Sequence, residues 1–125
     1  MITEDYVSFE TAKILKTKGF DEYCGYYDKA GEYWGYCTYN HKCDDYISAP
    51  TYQMAMKWLR EIHKLHIDIV LQQDAEVDAS DFICMYTFNV SRMNRCANEG
   101  GDCKFYKSYE EAAEAAIKYC LENLI

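Results

Sequence analysis

Asp28-Lys29-Ala30-Gly31 lies at the centre of a stretch that reads nearly the same in both directions. Cys24-Gly25-Tyr26-Tyr27 runs up to it, and Glu32-Tyr33-Trp34-Gly35-Tyr36-Cys37 runs away from it. A polar segment ending in glycine between two aromatic runs predicts a β-hairpin, with a type I turn closed by a left-handed glycine. The predicted strands cover 22–27 and 32–39. Setting Asp28 against Glu32 places Tyr27 opposite Tyr33, Tyr26 opposite Trp34, Gly25 opposite Gly35 and Cys24 opposite Tyr36. One face then carries Cys24, Tyr26, Trp34 and Tyr36. The other carries Tyr23, Tyr27, Tyr33, Cys37 and Tyr39 around the glycine pair, which leaves room for a close helix. Cys24 and Cys37 point to opposite faces, and this argues against a disulfide between them.

Helices bracket and separate the strands. Ser8 is placed to cap a first helix, with Glu10 in its first turn and Phe9, Ala12 and Leu15 along one face. Gly19 is placed for the left-handed stop, with Phe20 folding back on Leu15. Thr51, after Pro50, caps a second helix that runs to about Lys64. Tyr52, Ala55, Met56, Leu59, Ile62 and His63 share its broad face, while Met54 and Trp58 lie toward an edge or a second contact. Ser108 and Glu111 form a capping box for the last helix. Tyr109, Ala112, Ala113, Ala116, Ile117, Cys120, Leu121 and Leu124 make its apolar stripe. Residues 66–72 and 82–90 alternate as strands, with Ile67, Ile69 and Leu71 on one face of the first and Phe82, Cys84, Tyr86, Phe88 and Val90 on one face of the second. The segments 40–48 and 91–102 read as loops, and Cys103 to Tyr106 as a short edge strand.

The order α-β-β-α-β-β-α defines an α+β class, an antiparallel sheet of about four strands with three helices packed on it. At 125 residues the expectation is a single domain, 1–125. Its composition, 27% charged and 50% hydrophobic, is that of a globular chain. The net charge of −8, with the basic residues scattered, disfavours direct binding of nucleic acid. No apolar run reaches the ~18–20 residues of a membrane span. The opening Met-Ile-Thr-Glu-Asp has neither the basic nor the apolar region of a signal peptide, so a cytoplasmic location is expected. In that reducing setting the seven cysteines are expected as thiols.

Three segments carry a resemblance: Ser8 to Phe20, Ala49-Pro50-Thr51 through Trp58-Leu59-Arg60-Glu61-Ile62-His63, and Ser108-Tyr109-Glu110-Glu111-Ala112 to Ile125. In these the chain resembles small uncharacterised proteins of gut bacterial and phage genomes that have no assigned activity. The resemblance implies a cytoplasmic protein linked to a phage or mobile element. It assigns no functional residue.

The side chains offer few reactive constellations. Cys37, His41, Cys43, Cys96 and Cys103 supply donors that zinc prefers, but C-x3-H-x-C is not a zinc spacing and no CxxC occurs. Asp74-x-Glu76-x-Asp78 opens like a calcium loop and then fails, with Ala79 where glycine is required and Met85 where the bidentate glutamate belongs. A cysteine nucleophile would need His41, His63 or His66 beside it. No catalytic residue and no cofactor is assigned.

Tyrosine is the exception: eight of the 13 fall between Tyr23 and Tyr52. Tyr and Trp dominate protein contact surfaces. The sequence therefore reads as a small acidic protein-protein interaction module, an accessory protein whose partner is a host or phage protein, with Tyr26, Trp34 and Tyr36 as contact residues. A free strand edge, on the hairpin or over 82–90, offers a route to a homodimer. The alternative is an acidic mimic of nucleic acid that inhibits a nucleic-acid-binding protein. A zinc- or thiol-dependent enzyme is a third class, and an aromatic sheet stacking RNA bases is opposed by Glu22, Asp28, Glu32, Asp44 and Asp45.

Overall fold

The computed structural model describes residues 2, 4–73 and 84–125. The elements run α1 (Phe9–Thr17), β1 (Cys24–Tyr27), β2 (Tyr33–Thr38), a 3-10 turn (Asn40–Lys42), β3 (Ile47–Ser48), α2 (Tyr52–Ile62), β4 (Leu65–Gln73), β5 (Cys84–Arg92), β6 (Ala97–Gly100) and α3 (Tyr109–Asn123). The class is α+β with three helices. The strands form two three-stranded antiparallel sheets, ordered β2-β1-β3 and β4-β5-β6, in place of the expected single sheet of about four strands.

Every helix starts where its capping hydroxyl predicts. Ser8, Thr51 and Ser108 accept from the backbone N–H three residues on, at Thr11, Met54 and Glu111. The α1 stop is the predicted Schellman arrangement: Gly19 has φ of 96°, and Phe20 N–H donates to Leu15 C=O at 3.0 Å. The Glu111 carboxylate reaches back to the N–H of Lys107, one residue before the cap. In α2 the second contact foreseen for Trp58 is Phe20, met edge to face at 5.4 Å, and Trp58 is buried. Ile62 departs from the expected apolar face. It is 60% exposed, because the helix ends there and the chain turns at Lys64, whose φ is 58°.

The hairpin turn forms as read, with Gly31 at φ of 84°, Asp28 N–H donating to Glu32 C=O and Gly31 N–H donating to Asp28 C=O. Tyr27 pairs with Tyr33 and Tyr26 with Trp34. Further along the register shifts, so Cys24 meets Thr38 and not Tyr36, and the two glycines are not partners. The extra residues lie in β2, where a bulge accommodates them. On its other side β1 pairs with β3, a strand of two residues, too short for alternation to show in sequence. Asn40 anchors that strand: its side chain accepts from Ser48 N–H and donates to Phe20 C=O.

In the second sheet β4 and β5 pair over nine positions, Leu65 with Arg92 through Gln73 with Cys84. The predicted loop after β5 instead contains β6, whose Ala-Asn-Glu-Gly sequence has no strand propensity. Tertiary contacts hold it there, among them the Arg92 guanidinium, which pairs with Glu99 at 2.6 Å and also reaches Leu124 C=O. Cys103 to Tyr106 contributes only an isolated bridge, between Tyr106 and Tyr86. One apolar cluster joins residues from all three helices and both sheets, including Leu15, Phe20, Tyr27, Leu59, Leu65, Phe88, Val90, Ile117 and Leu121.

Candidate functional site

Asp28 organises the exposed face of the hairpin. One carboxylate oxygen accepts from the N–H groups of Ala30 and Glu32, and the other accepts from the Trp34 indole Nε1–H at 3.0 Å. The indole bond, followed by the backbone bonds, holds the Asp28 carboxyl below its ordinary pKa. Turn and indole are thus tied together, and Trp34 is oriented while 44% exposed. Tyr36 is 78% exposed, and each residue of β2 from Tyr33 to Cys37 faces solvent. Tyr26 differs from its two predicted companions. It lies on the central strand, half-buried, with its ring 4.4 Å from that of Tyr46.

The opposite face is closed at β1 only. Tyr27 is buried, its hydroxyl donating to Val7 C=O at 2.6 Å and its ring edge-on to Phe9. Burial, then the neighbouring Tyr6, pushes its pKa up to about 12. Tyr33 stacks on Tyr6 at 4.0 Å and lies over Gly25, where a Cβ would come within 2.6 Å of the Tyr33 hydroxyl. Gly25 therefore admits a tyrosine ring from the adjacent strand, where the sequence predicts a helix. Gly35 has open space around it.

The sequence-nominated zinc donors do not assemble. Cys37, His41 and Cys43 belong to the hairpin region, whereas Cys96 and Cys103 flank β6 of the other sheet. His41 Nδ1 is 2.7 Å from Asp21 Oδ2, and His41 N–H donates to Asp21 Oδ1 at 3.0 Å. Among the described residues no three His, Cys, Asp or Glu side chains come together as metal ligands. Cys24, Cys37, Cys43, Cys96, Cys103 and Cys120 are free, and burial raises the thiols of Cys24 and Cys120 to about 11 and about 12. His63 packs edge to face on Trp58 at 4.7 Å, and burial lowers its pKa. The acidic segment 74–81 and Phe82 lie outside the described residues.

Clefts between distant segments went unseen in the sequence, among them two larger ones. One, of about 320 Å³, lies where the open end of the hairpin meets α2, between Tyr23, Tyr39, Trp58 and Ile62, with Glu22, Lys57 and Glu61 on its walls. The other, of about 450 Å³, is lined by Tyr52, Tyr106, Glu110, Glu111, Glu114 and Ala115. Each joins segments far apart in the chain, so no local pattern announces them. Among the described residues no helix is long and apolar enough to cross a membrane. Comparison of the chain with known protein families, curated proteins and solved structures finds no match.

Proposed function

We propose that this chain is a protein-interaction module that binds through the open side of its first hairpin. The observation behind the proposal is that β2 exposes Tyr33, Trp34, Gly35, Tyr36 and Cys37 in succession at the edge of its sheet, with Trp34 held in place by Asp28. An oriented indole and a projecting phenol offer large contact area at low cost in side-chain entropy. Trp34 and Tyr36 are the primary contacts, and Tyr26, the cross-strand partner of Trp34, packs on Tyr46 beside it. The partner is a host or phage protein, and the setting is the cytoplasm, which suits the free thiols.

The test is affinity capture from a bacterial host lysate with wild type and with a Trp34→Ser/Tyr36→Ser variant. The variant is expected to unfold at the wild-type midpoint and to lose the captured protein. Undiminished capture, or loss of cooperative unfolding in the variant, would overturn the assignment.

A second reading, acidic mimicry of nucleic acid, draws support from a different surface. Glu4, Asp5 and Glu110 line a small cleft next to the one lined by Glu110, Glu111 and Glu114, and neither has Lys or Arg among its described lining residues. Carboxylates spaced along this surface would stand in for phosphates. Under this reading the captured protein is released by DNA and by salt, and the Trp34→Ser/Tyr36→Ser variant still captures it.

A further inference from the structure

The backbone of β2 carries an opportunity separate from its side chains. Among the described residues, the sheet order β2-β1-β3 leaves β2 with one edge outside the ladder. Asp28 N–H donates to Glu32 C=O, so Glu32 turns its backbone groups toward β1. In an antiparallel ladder this direction alternates with period two. Trp34, which pairs with Tyr26, therefore also faces inward, and Tyr33 directs its N–H and C=O groups outward; the same alternation carried one residue past Trp34 turns Gly35 outward at the start of the shifted segment. Among the described residues, no backbone hydrogen bond outside the ladder involves Tyr33–Thr38. Edge strands are ordinarily blunted by charge, by proline, by a bulge or by a cover. Tyr33–Thr38 contains no charged residue and no proline, and the register shift lies beyond the regular pairs at Tyr33 and Trp34.

We propose that β2 receives an extended, basic segment of the partner protein as an added strand. This rests on the reading of the hairpin as the contact surface and names how that surface binds. Main-chain bonds to Tyr33 and Gly35 supply affinity, and Trp34 and Tyr36 select among side chains. Charge picks the occupant. Exposed Glu32 stands at one end of the strand and exposed Glu22 near the other, and neither enters an ion pair among the described residues. A second copy of the chain brings a further −8, and antiparallel pairing of two β2 edges sets the Glu32 end of each against the Glu22 end of the other. A segment carrying Lys or Arg at its ends meets both carboxylates favourably.

Gly35 supplies the test. A Cβ there meets nothing within 4 Å, so the site has room for a larger residue. Gly35→Pro deletes an outward N–H and spares the ladder, a position that edge strands tolerate. Gly35→Ala keeps the N–H. The probes are two synthetic ten-residue peptides, one alternating Val with Lys and one alternating Val with Glu, titrated calorimetrically against the full chain near physiological salt. The expected result is binding of the Lys peptide alone, with slowed amide exchange at Tyr33 and Gly35. Gly35→Pro should weaken binding by about tenfold, the scale of one to two lost main-chain bonds, and Gly35→Ala should not.

Unchanged exchange at Tyr33 and Gly35 in the wild type, equal binding of the Glu peptide, or full binding by a folded Gly35→Pro variant each overturns strand addition. So does a dimer in sedimentation whose β2 amides are protected without peptide. Native capture that is lost in Trp34→Ser/Tyr36→Ser but intact in Gly35→Pro removes strand addition alone. Capture intact in both variants removes the hairpin as the contact surface.

Discussion

At Gly25, Gly35 and Gly101 an added methyl group would meet three different surroundings. At Gly35 it meets nothing within 4 Å, at Gly25 it lies 2.6 Å from the Tyr33 hydroxyl, and at Gly101 it lies 2.4 Å from the carbonyl oxygen of Phe88. A partly exposed tyrosine ring can swing aside by giving up its stack on Tyr6, whereas a carbonyl in the middle of β5 cannot move without its strand. The three alanine variants should therefore rank in urea unfolding. Gly35→Ala is expected to be neutral or stabilising by a few tenths of a kcal/mol. Gly25→Ala is expected to cost about 1 kcal/mol, and Gly101→Ala about 2–3 kcal/mol. A Gly101→Ala variant as stable as wild type would contradict this ordering. The glycines at 25 and 35 were visible in the sequence as a pair. Their separate roles were not, because the β2 bulge that uncouples them leaves no local mark.

The helices show how far local chemistry reaches. Ser8, Thr51 and Ser108 and the stop at Gly19 were readable because capping is settled within a few residues. What joins α3 to α1 was not readable. The Glu114 carboxylate accepts from the N–H and hydroxyl of Ser8 and, at 2.6 Å, from the buried hydroxyl of Thr11. A carboxylate from α3 thus sits at the N-terminus of α1, where the helix dipole favours negative charge. Ser108→Ala removes one cap and is expected to cost about 1 kcal/mol. Glu114→Ala leaves the buried Thr11 hydroxyl with only the longer 3.3 Å contact to Ser8 Oγ and is expected to cost about 1–3 kcal/mol. Lys118→Ala, at an exposed ion pair with Glu122 spanning 4.0 Å, should stay within about 0.5 kcal/mol of wild type. Chemical denaturation of the three variants checks the series, and a Glu114→Ala effect no larger than that of Lys118→Ala would refute the role given to Glu114.

At the scale of the molecule, both sheets and all three helices share one apolar cluster. One core predicts one cooperative transition, with far-ultraviolet circular dichroism and the fluorescence of buried Trp58 changing together. The same core sets the response to alkali. Burial raises Cys24 to about 11 and Cys120 and Tyr27 to about 12, and burial followed by the Asp102 bond raises Tyr106 to about 12. Their ordinary values are 9.0 for the thiols and 10.0 for the phenols. Above pH ~9 the unfolded chain therefore releases protons that the folded chain keeps, and stability falls as pH rises toward the folded-state values. Below that window these groups contribute no pH dependence. A spectrophotometric titration should show part of the tyrosinate signal appearing only as the helical signal is lost. Ionisation of every tyrosine near its ordinary value with the fold intact would show that the rings are not sealed.

By itself the sequence determined the helix starts and the stop at Gly19, the hairpin turn, the pairing of Tyr26 with Trp34 and of Tyr27 with Tyr33, and the α+β class. Each of these follows from contacts or periodicities within about ten residues, where residue type and spacing suffice. Only the tertiary structure decided that the strands divide into two sheets, that Ile47–Ser48 and Ala97–Gly100 become strands, and that β2, among the described residues, is left open at its edge. Short polar strands have no pattern of their own and form where a neighbouring ladder and an anchor such as Asn40 or Arg92 present themselves. Exposure of an edge is likewise a property of what fails to pack beside it, which no single segment encodes.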